Sequence, residues 1–297
     1  MGRDSFSTYH PAVNFLYFAA VLGFSMFFMH PVLQGIALFS AAVYSVTLSG
    51  GKAVKFNVIY MLPALFILAA VNPLFNHAGM TILFYLKNGN PVTLESIVYG
   101  IAAAAMLVTV MIWFSCYNKV MTSDKFIHLF GKIVPALSLI FSMVLRFVPR
   151  FRHQIQAVSL AQRSIGRDVT QGNVVHRARH GLRILSIMAT WAMENAIETA
   201  DSMKARGYGL PGRTSFAIYR FDRRDRTVLV LMIVLIAIVL AGAGMGENTM
   251  RYFPSMRMKE QTLFSGVVYA AYSLLCMLPV IIQLVEELRW KYIVSRT

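Results

Sequence analysis

What most constrains this chain is a series of apolar segments, each as long as a bilayer is thick, interrupted by one long polar interval. About 20 apolar residues cross the hydrocarbon core, and the stretches 12–29, 31–49, 56–75, 97–115, 227–246 and 263–285 qualify. They are apolar around the whole circumference rather than striped, as lipid-facing helices must be. Hydrophobic residues make up 57% of the 297 and charged residues 14%, which excludes a soluble domain of this size. The expected fold class is all-α: a polytopic membrane protein with about six transmembrane helices and a cytoplasmic region of long crossed helices.

Lys and Arg set the orientation. The segment 116–226 holds 18 of the 28 Lys and Arg residues against 7 acidic ones, so it is expected in the cytoplasm. With six spans, the N-terminus, the loop with Lys52 and Lys55, and the C-terminus (Arg289, Lys291, Arg296) share that side. The opposite loops are mixed: Lys87 with Glu95, then Arg251, Arg257 and Lys259 with Glu247 and Glu260. The expected division is therefore 1–118 for four spans, 119–226 for the cytoplasmic helices and 227–297 for two further spans. The apolar run 133–148 contains Pro135 and is short for a span. Counting it as one would export the basic stretch 150–226, so it is expected to lie in the membrane interface or under the bundle. No cleavable signal is expected in Met1–Pro11. Cys116 and Cys276 show no ligand spacing and read as small packing residues.

The polar interval divides into three helices. The first covers 123–132, with Ser123 as its cap and Asp124 in its first turn. A second runs from about Ala136 to Ile165, bent near Pro149, with Asp168 to Asn173 as the following turn. A third runs from about Val175 to Arg206 and stops at Gly207. On the third, Leu185, Ala189, Ala192, Ala196, Ala200 and Met203 recur at spacings of three and four. Small residues permit close approach, so Ala189, Ala192, Ala196 and Ala200 are expected to form the surface where the arms cross. Opposite them, Glu194, Glu198 and Asp201 form an acidic row. Without a His at matching spacing it reads as a polar face paired with Lys204 and the arginines of the other arm, not a metal site.

The two long helices end alike: Ala161-Gln162-Arg163-Ser164-Ile165-Gly166 and Ala205-Arg206-Gly207. One terminal Arg is explained by the helix dipole. Two neighbouring ends carrying Ala, Arg and Gly fit arms that grip a partner's carboxylates and carbonyls at two points. This pair resembles the two Ala-Arg-Gly coupling motifs of the transmembrane T component of energy-coupling factor (ECF) transporters, a group that includes cobalt-transporter membrane subunits. Asn72-Pro73-Leu74-Phe75-Asn76-His77 and Leu145-Arg146-Phe147-Val148-Pro149-Arg150 agree with it. The second motif, Met203-Lys204-Ala205-Arg206-Gly207-Tyr208, matches closely. In the first, Ile165 stands where the family has Arg, leaving Arg163 or Arg167 as substitutes.

The resemblance implies a mechanical role without catalysis or cofactor. Two cytosolic ATPase subunits bind at Ala161, Arg163, Gly166, Ala205, Arg206 and Gly207. Their ATP-driven closure shifts the arms and reorients a small membrane-embedded substrate-binding subunit, which releases a micronutrient inside a prokaryotic cell. The residues agree that the chain is no ATPase itself: Gly50-Gly51-Lys52-Ala53 lacks the first glycine and the Ser or Thr of a phosphate loop. The rival reading is a self-contained channel or secondary transporter with a basic cytoplasmic domain. It calls for ionisable residues inside spans, whereas Asn57, Asn72 and His77 lie near span ends and are expected to satisfy backbone freed by Pro63 and Pro73. An intramembrane enzyme would need paired His or carboxylates at depth. Nucleic-acid binding is not needed to explain the +15 charge, which topology already requires, and base-stacking aromatics are lacking.

Overall fold

A computed structural model of the chain describes residues 4–85, 90–131, 135–210, 219–258 and 261–295; Lys87, Asn88, Lys259, Glu260 and Arg296 lie outside them. The described residues form nine helices: α1 Pro11–Phe27, α2 Pro31–Ser49, α3 Gly51–Phe75, α4 Leu94–Val120, α5 Ser123–Gly131, α6 Pro135–Ser164, α7 Val174–Ala205, α8 Arg223–Gly244 and α9 Leu263–Val294. Two antiparallel hairpins, β1 Ile82–Tyr85 with β2 Pro91–Thr93 and β3 Met250–Arg251 with β4 Arg257–Met258, sit in the α3–α4 and α8–α9 connections. The fold is an all-α polytopic membrane protein.

Five helices, α2, α3, α4, α8 and α9, are long and apolar enough to cross a membrane. The expected first span is the shorter α1, with 17 residues, or about 25 Å of rise. The chain leaves it at Phe28, and Pro31 then opens α2, because the residue before a proline is pushed out of helical geometry. Ser123, expected as a cap, is already the first helical residue of α5.

The chain forms two compact units, Met1–Phe126 with Tyr219–Thr297, and Ile127–Ile218. The first gathers 1–118 and 227–297 into one bundle, because α9 packs on α2 and α8, and α8 on α1. Its centre is aromatic. Trp113 is wholly buried, with the rings of Tyr17, Phe18 and Tyr44 at 6.0, 6.3 and 6.1 Å. Cys116 and Cys276 are free and buried there, as expected. α3 lies at the edge, with most of its apolar side chains exposed, Met61 and Leu65 half-buried against the core, and its packing largely on α4. A side chain at Gly100 would meet the Ala69 carbonyl oxygen at 2.7 Å, so this glycine lets α4 approach the bend at Pro73.

The prolines of α3 are accommodated differently from the expectation. A wide π turn, Asn57–Met61, precedes Pro63 and absorbs the donor it lacks. Asn57 Oδ1 has no hydrogen-bond partner, and His77 Nε2 lies 3.1 Å from Asn90 Nδ2 in the following loop. The Asn72–His77 motif fastens that loop: Asn76 N–H donates to the Asn72 carbonyl, and Ser96 Oγ donates to the Asn76 carbonyl, both at 2.8 Å.

The bundle is tied at the end where the N-terminal segment meets α5, α8 and α9. Asp225 accepts from His10 N and Asp222 N, each at 2.9 Å, capping α8 and fixing the entry to α1 together. Ser5 N donates to Gln283 Oε1 at 2.8 Å, and Tyr44 Oη donates to Asp4 at 3.0 Å. Lys125, buried, donates to the carbonyls of Ser7 and Val120 at 2.5 and 2.9 Å. Burial raises the pKa of Asp4 and pushes Lys125 down to about 8, against the opposing pull of Asp4.

The sign of the resulting pH dependence follows directly. Between about 8 and the ordinary 10.5, the unfolded chain holds a proton on Lys125 that the folded chain has released, so this group makes stability rise with pH across that window. Thermal unfolding in detergent, taken as the difference between wild type and Lys125→Met, should show that rise. A difference flat from pH 8 to 10.5 sinks the assignment.

Candidate functional site

Both long arms lie in the second unit. α6 has 30 residues and α7 has 32, about 45 and 48 Å at helical rise. α6 takes in residues 135–148 of the run expected at the interface and carries Pro149 inside it; residues 133 and 134 lie outside the described ones. Asn173 caps α7, its Oδ1 accepting from Val174 N at 2.7 Å.

The ends of the arms are the same structure built twice. At α6, Gly166 N donates to the Arg163 carbonyl at 3.0 Å and Arg167 N to the Gln162 carbonyl at 2.9 Å. At α7, Gly207 N donates to the Lys204 carbonyl at 2.9 Å and Tyr208 N to the Met203 carbonyl at 3.0 Å. This crossed pair of bonds needs a left-handed residue after the helix, which glycine supplies cheaply; Gly166 and Gly207 have φ +78° and +80°. Matching the ends places Gly166 on Gly207, Ser164 on Ala205 and Ile165 on Arg206. Ile165 and Arg206 thus occupy the same capping position, and both are exposed, Ile165 by 60%.

Arg163 does not occupy the position of the missing arginine. It corresponds to Lys204, two residues before the capping position, and its Nε pairs with Asp168 at 3.2 Å. Thr170 donates to Asp168 Oδ1 from N and Oγ1, at 2.9 and 2.8 Å. Those bonds, with a smaller contribution from Arg163, hold the Asp168 carboxyl below its usual range. Arg167 follows the glycine and corresponds to Tyr208. Ala161 and Ala205 are exposed.

The crossing of the arms differs from the expected alanine stripe. Ala189, Ala196 and Ala200 are exposed and Ala192 is half-buried, whereas Ile184, Met188 and Asn195 are buried. The packed face runs through 184, 188, 191, 195 and 199, beside the alanines. At its centre Trp191 meets the Phe151 ring edge-on at 5.1 Å and lies under the Arg150 guanidinium at 5.5 Å. Large side chains win the contact because they bury more area than alanine. Asn195 Nδ2 donates to the Trp191 carbonyl at 2.8 Å and Thr199 Oγ1 to the Asn195 carbonyl at 2.6 Å, so polar residues on this face are satisfied within their own helix. The 4-3-4-4 spacing around a tryptophan was the signal in the sequence.

Grooves open on both flanks of the crossing. One, about 770 Å³, is apolar and lined chiefly by Val144, Phe147, Val148, Phe151 and Ile155 of α6 with Ala192 and Ala196 of α7. The other, about 900 Å³, is mixed and basic. The acidic row does not pair as expected: among the described residues the ion pairs are Arg163–Asp168 and Arg224–Glu286. No group of three metal-ligating side chains occurs among the described residues either.

No protein-family model matches the chain. Individual relatives do, under one consistent name. The energy-coupling factor transporter transmembrane protein EcfT of Staphylococcus aureus (strain 04-02981) is 34% identical over 115 residues, covering 38% of this chain and 42% of that protein. EcfT of Bacillus subtilis (strain 168) is 35% identical over 107 residues, covering 36% and 40% respectively. EcfT of Acidaminococcus fermentans is 30% identical over 159 residues, covering 50% and 59%. The chain is EcfT-like. It is similar to the transmembrane component of an ECF transporter, although the matches span less than two thirds of these relatives' length.

The observed crossing gives a direct comparison of substitutions. Truncating a core Trp costs about 3–5 kcal/mol, so Trp191→Ala, at a half-buried site, should loosen the arms by roughly the lower end of that range. Ala189→Leu, on the exposed stripe, should stay within about 0.5 kcal/mol. Limited proteolysis between residues 166 and 173 reads both variants. Equal protection of Trp191→Ala and wild type would show that this contact does not hold the arms.

Proposed function

We propose that this chain is the coupling subunit of an ECF-type importer in the cell membrane of a prokaryote. It binds two cytosolic ATPase subunits through the ends of α6 and α7. It passes their ATP-driven motion to a small membrane-embedded substrate-binding subunit that takes up a micronutrient, a vitamin or a metal ion. The observation that carries this reading is the repeated helix end, with Ile165 and Arg206 exposed at one equivalent position. A lone helix stop serves only its own helix. Two identical stops present two side chains in the same way, which suits two related partners. The similarity to EcfT proteins supports it, and the chain's own part is mechanical, ATP hydrolysis falling to the partners.

The ends predict unequal grips. A hydrogen bond to a charged group is worth about 1.5–3 kcal/mol, and removing Arg206 also strands its buried partner carboxylate. Arg206→Ala or Arg206→Glu should therefore abolish ATPase copurification in mild detergent, together with uptake. Arg163→Ala should do much less, because Arg163 sits two residues before the capping position and its Nε pairs with Asp168. A chain that purifies alone and transports alone would overturn the whole reading. Equal loss from Arg163→Ala and Arg206→Ala would overturn the inequality alone.

Orientation has its own test. The excess of Lys and Arg in 116–226 supports a cytoplasmic position for the arms. A membrane-impermeant thiol reagent on intact cells should reach Asn88→Cys and miss Asn173→Cys. Labelling of Asn173→Cys from outside would reverse the topology.

A further inference from the structure

The chain leaves the bundle unit after Phe126 and returns to it at Tyr219. Both crossings are fastened to one short piece, residues 4–10, ahead of α1. On the outgoing side, Lys125 Nζ donates to the carbonyls of Ser7 and Val120. Asn14, wholly buried on α1, completes this cage in the amide orientation that accepts from Lys125 Nζ at 2.9 Å and donates to the Phe6 carbonyl at 3.0 Å. On the returning side, His10 N donates to Asp225. The His10 ring also meets Phe221 edge-on at 5.3 Å, and the Arg224 guanidinium lies over the Tyr9 ring at 5.6 Å. The two crossings touch directly as well, since the Tyr219 hydroxyl bonds the Thr122 side chain.

The piece that joins them is itself firm. Phe6–Thr8 is a 3-10 turn, closed by Ser7 Oγ donating to the Asp4 carbonyl at 2.6 Å and Thr8 Oγ1 to the Ser5 carbonyl at 2.7 Å. The Phe6 side chain is wholly buried, edge-on to Tyr17 at 5.0 Å. Ser5 and Asp4 anchor the turn to α9 and α2. We propose that residues 4–10 are a clamp that holds the outgoing and returning crossings together, with Lys125 and Asp225 as its positioning residues. Because both crossings bond to one anchored turn, loosening either withdraws support from the other. The consequence for transport rests on the coupling role proposed above: a displacement of the arms reaches the bundle as one movement, not as fraying at either root.

The test is hydrogen exchange of the full chain purified in mild detergent. It needs no partner, so the clamp stands or falls separately from the coupling role. Met121 N and Phe126 N, bonded to the Tyr117 and Thr122 carbonyls, report the outgoing crossing. Asp222 N and Arg226 N, bonded to Asp225 and the Asp222 carbonyl, report the returning one. Lys125→Met should speed exchange at Asp222 and Arg226, the other crossing, by about tenfold or more. Asp225→Asn should do the same at Met121 and Phe126. It keeps the size of the side chain, so it carries the test if Lys125→Met does not fold. The α9 amides around Tyr272 should keep their wild-type protection in both variants. Exchange that rises only at the mutated crossing overturns the clamp, because each residue then serves its own helix alone. Protection lost equally throughout α9 overturns it too, since residues 4–10 would then hold the whole bundle and not the two crossings.

Discussion

The structure depends first on the absence of water inside a bilayer. An N–H or C=O left without a partner there costs several kcal/mol, so the spans are helices whose backbone satisfies itself. The polar chemistry is driven to their ends, and the ends of this bundle are where its specific bonds collect. Asp225 stops α8 and starts α1 with one carboxylate. Lys125 closes the carbonyls of Ser7 and Val120. Between the ends, aromatic packing around Trp113 fixes which helices neighbour which, while α3 stays at the rim with apolar residues outward.

Outside the bundle the same need for backbone satisfaction takes another form. A long helix ending in water leaves its last carbonyls open. Both arms close theirs by the same two bonds around a left-handed glycine. The closure turns the chain sharply and leaves the capping residue exposed at the point of the arm. The device that stabilises the helix end is thus also the one that displays a side chain at the tip. Structure and presentation cannot be separated at Gly166 or Gly207, because an ordinary side chain there would strain the turn that exposes its neighbour.

The sequence reveals the spans, the three helices of the polar interval and both glycine stops, because apolar length and glycine placement are local signals. It misleads at the crossing. A stripe of alanines shows where close approach is permitted, but not that it happens: the buried side chains of α7 are Ile184, Met188 and Asn195, and Trp191 meets Phe151 of the other arm. A polar Asn beside Trp looks like a surface pair until Asn195 is seen satisfied by its own helix. The acidic row similarly reads as half of a set of ion pairs because spacing on one helix cannot give distance to another. Pairing of α9 with α2 is likewise a long-range fact that no local pattern carries.

The matched ends also sharpen what the departure at Ile165 means. If the first arm had lost its closing bonds, the missing arginine would read as decay of the motif. The bonds are intact, so the side chain at the capping position has changed while its display has not. Burying an exposed isoleucine gains about 1.5–3 kcal/mol from area alone, without the geometric demand of a carboxylate facing a guanidinium. On the proposed reading, a partner surface that receives Ile165 would be apolar where one that receives Arg206 would be anionic. The two grips would then differ in kind as well as strength: a contact through Arg206 weakens where salt screens charge, and one through Ile165 does not.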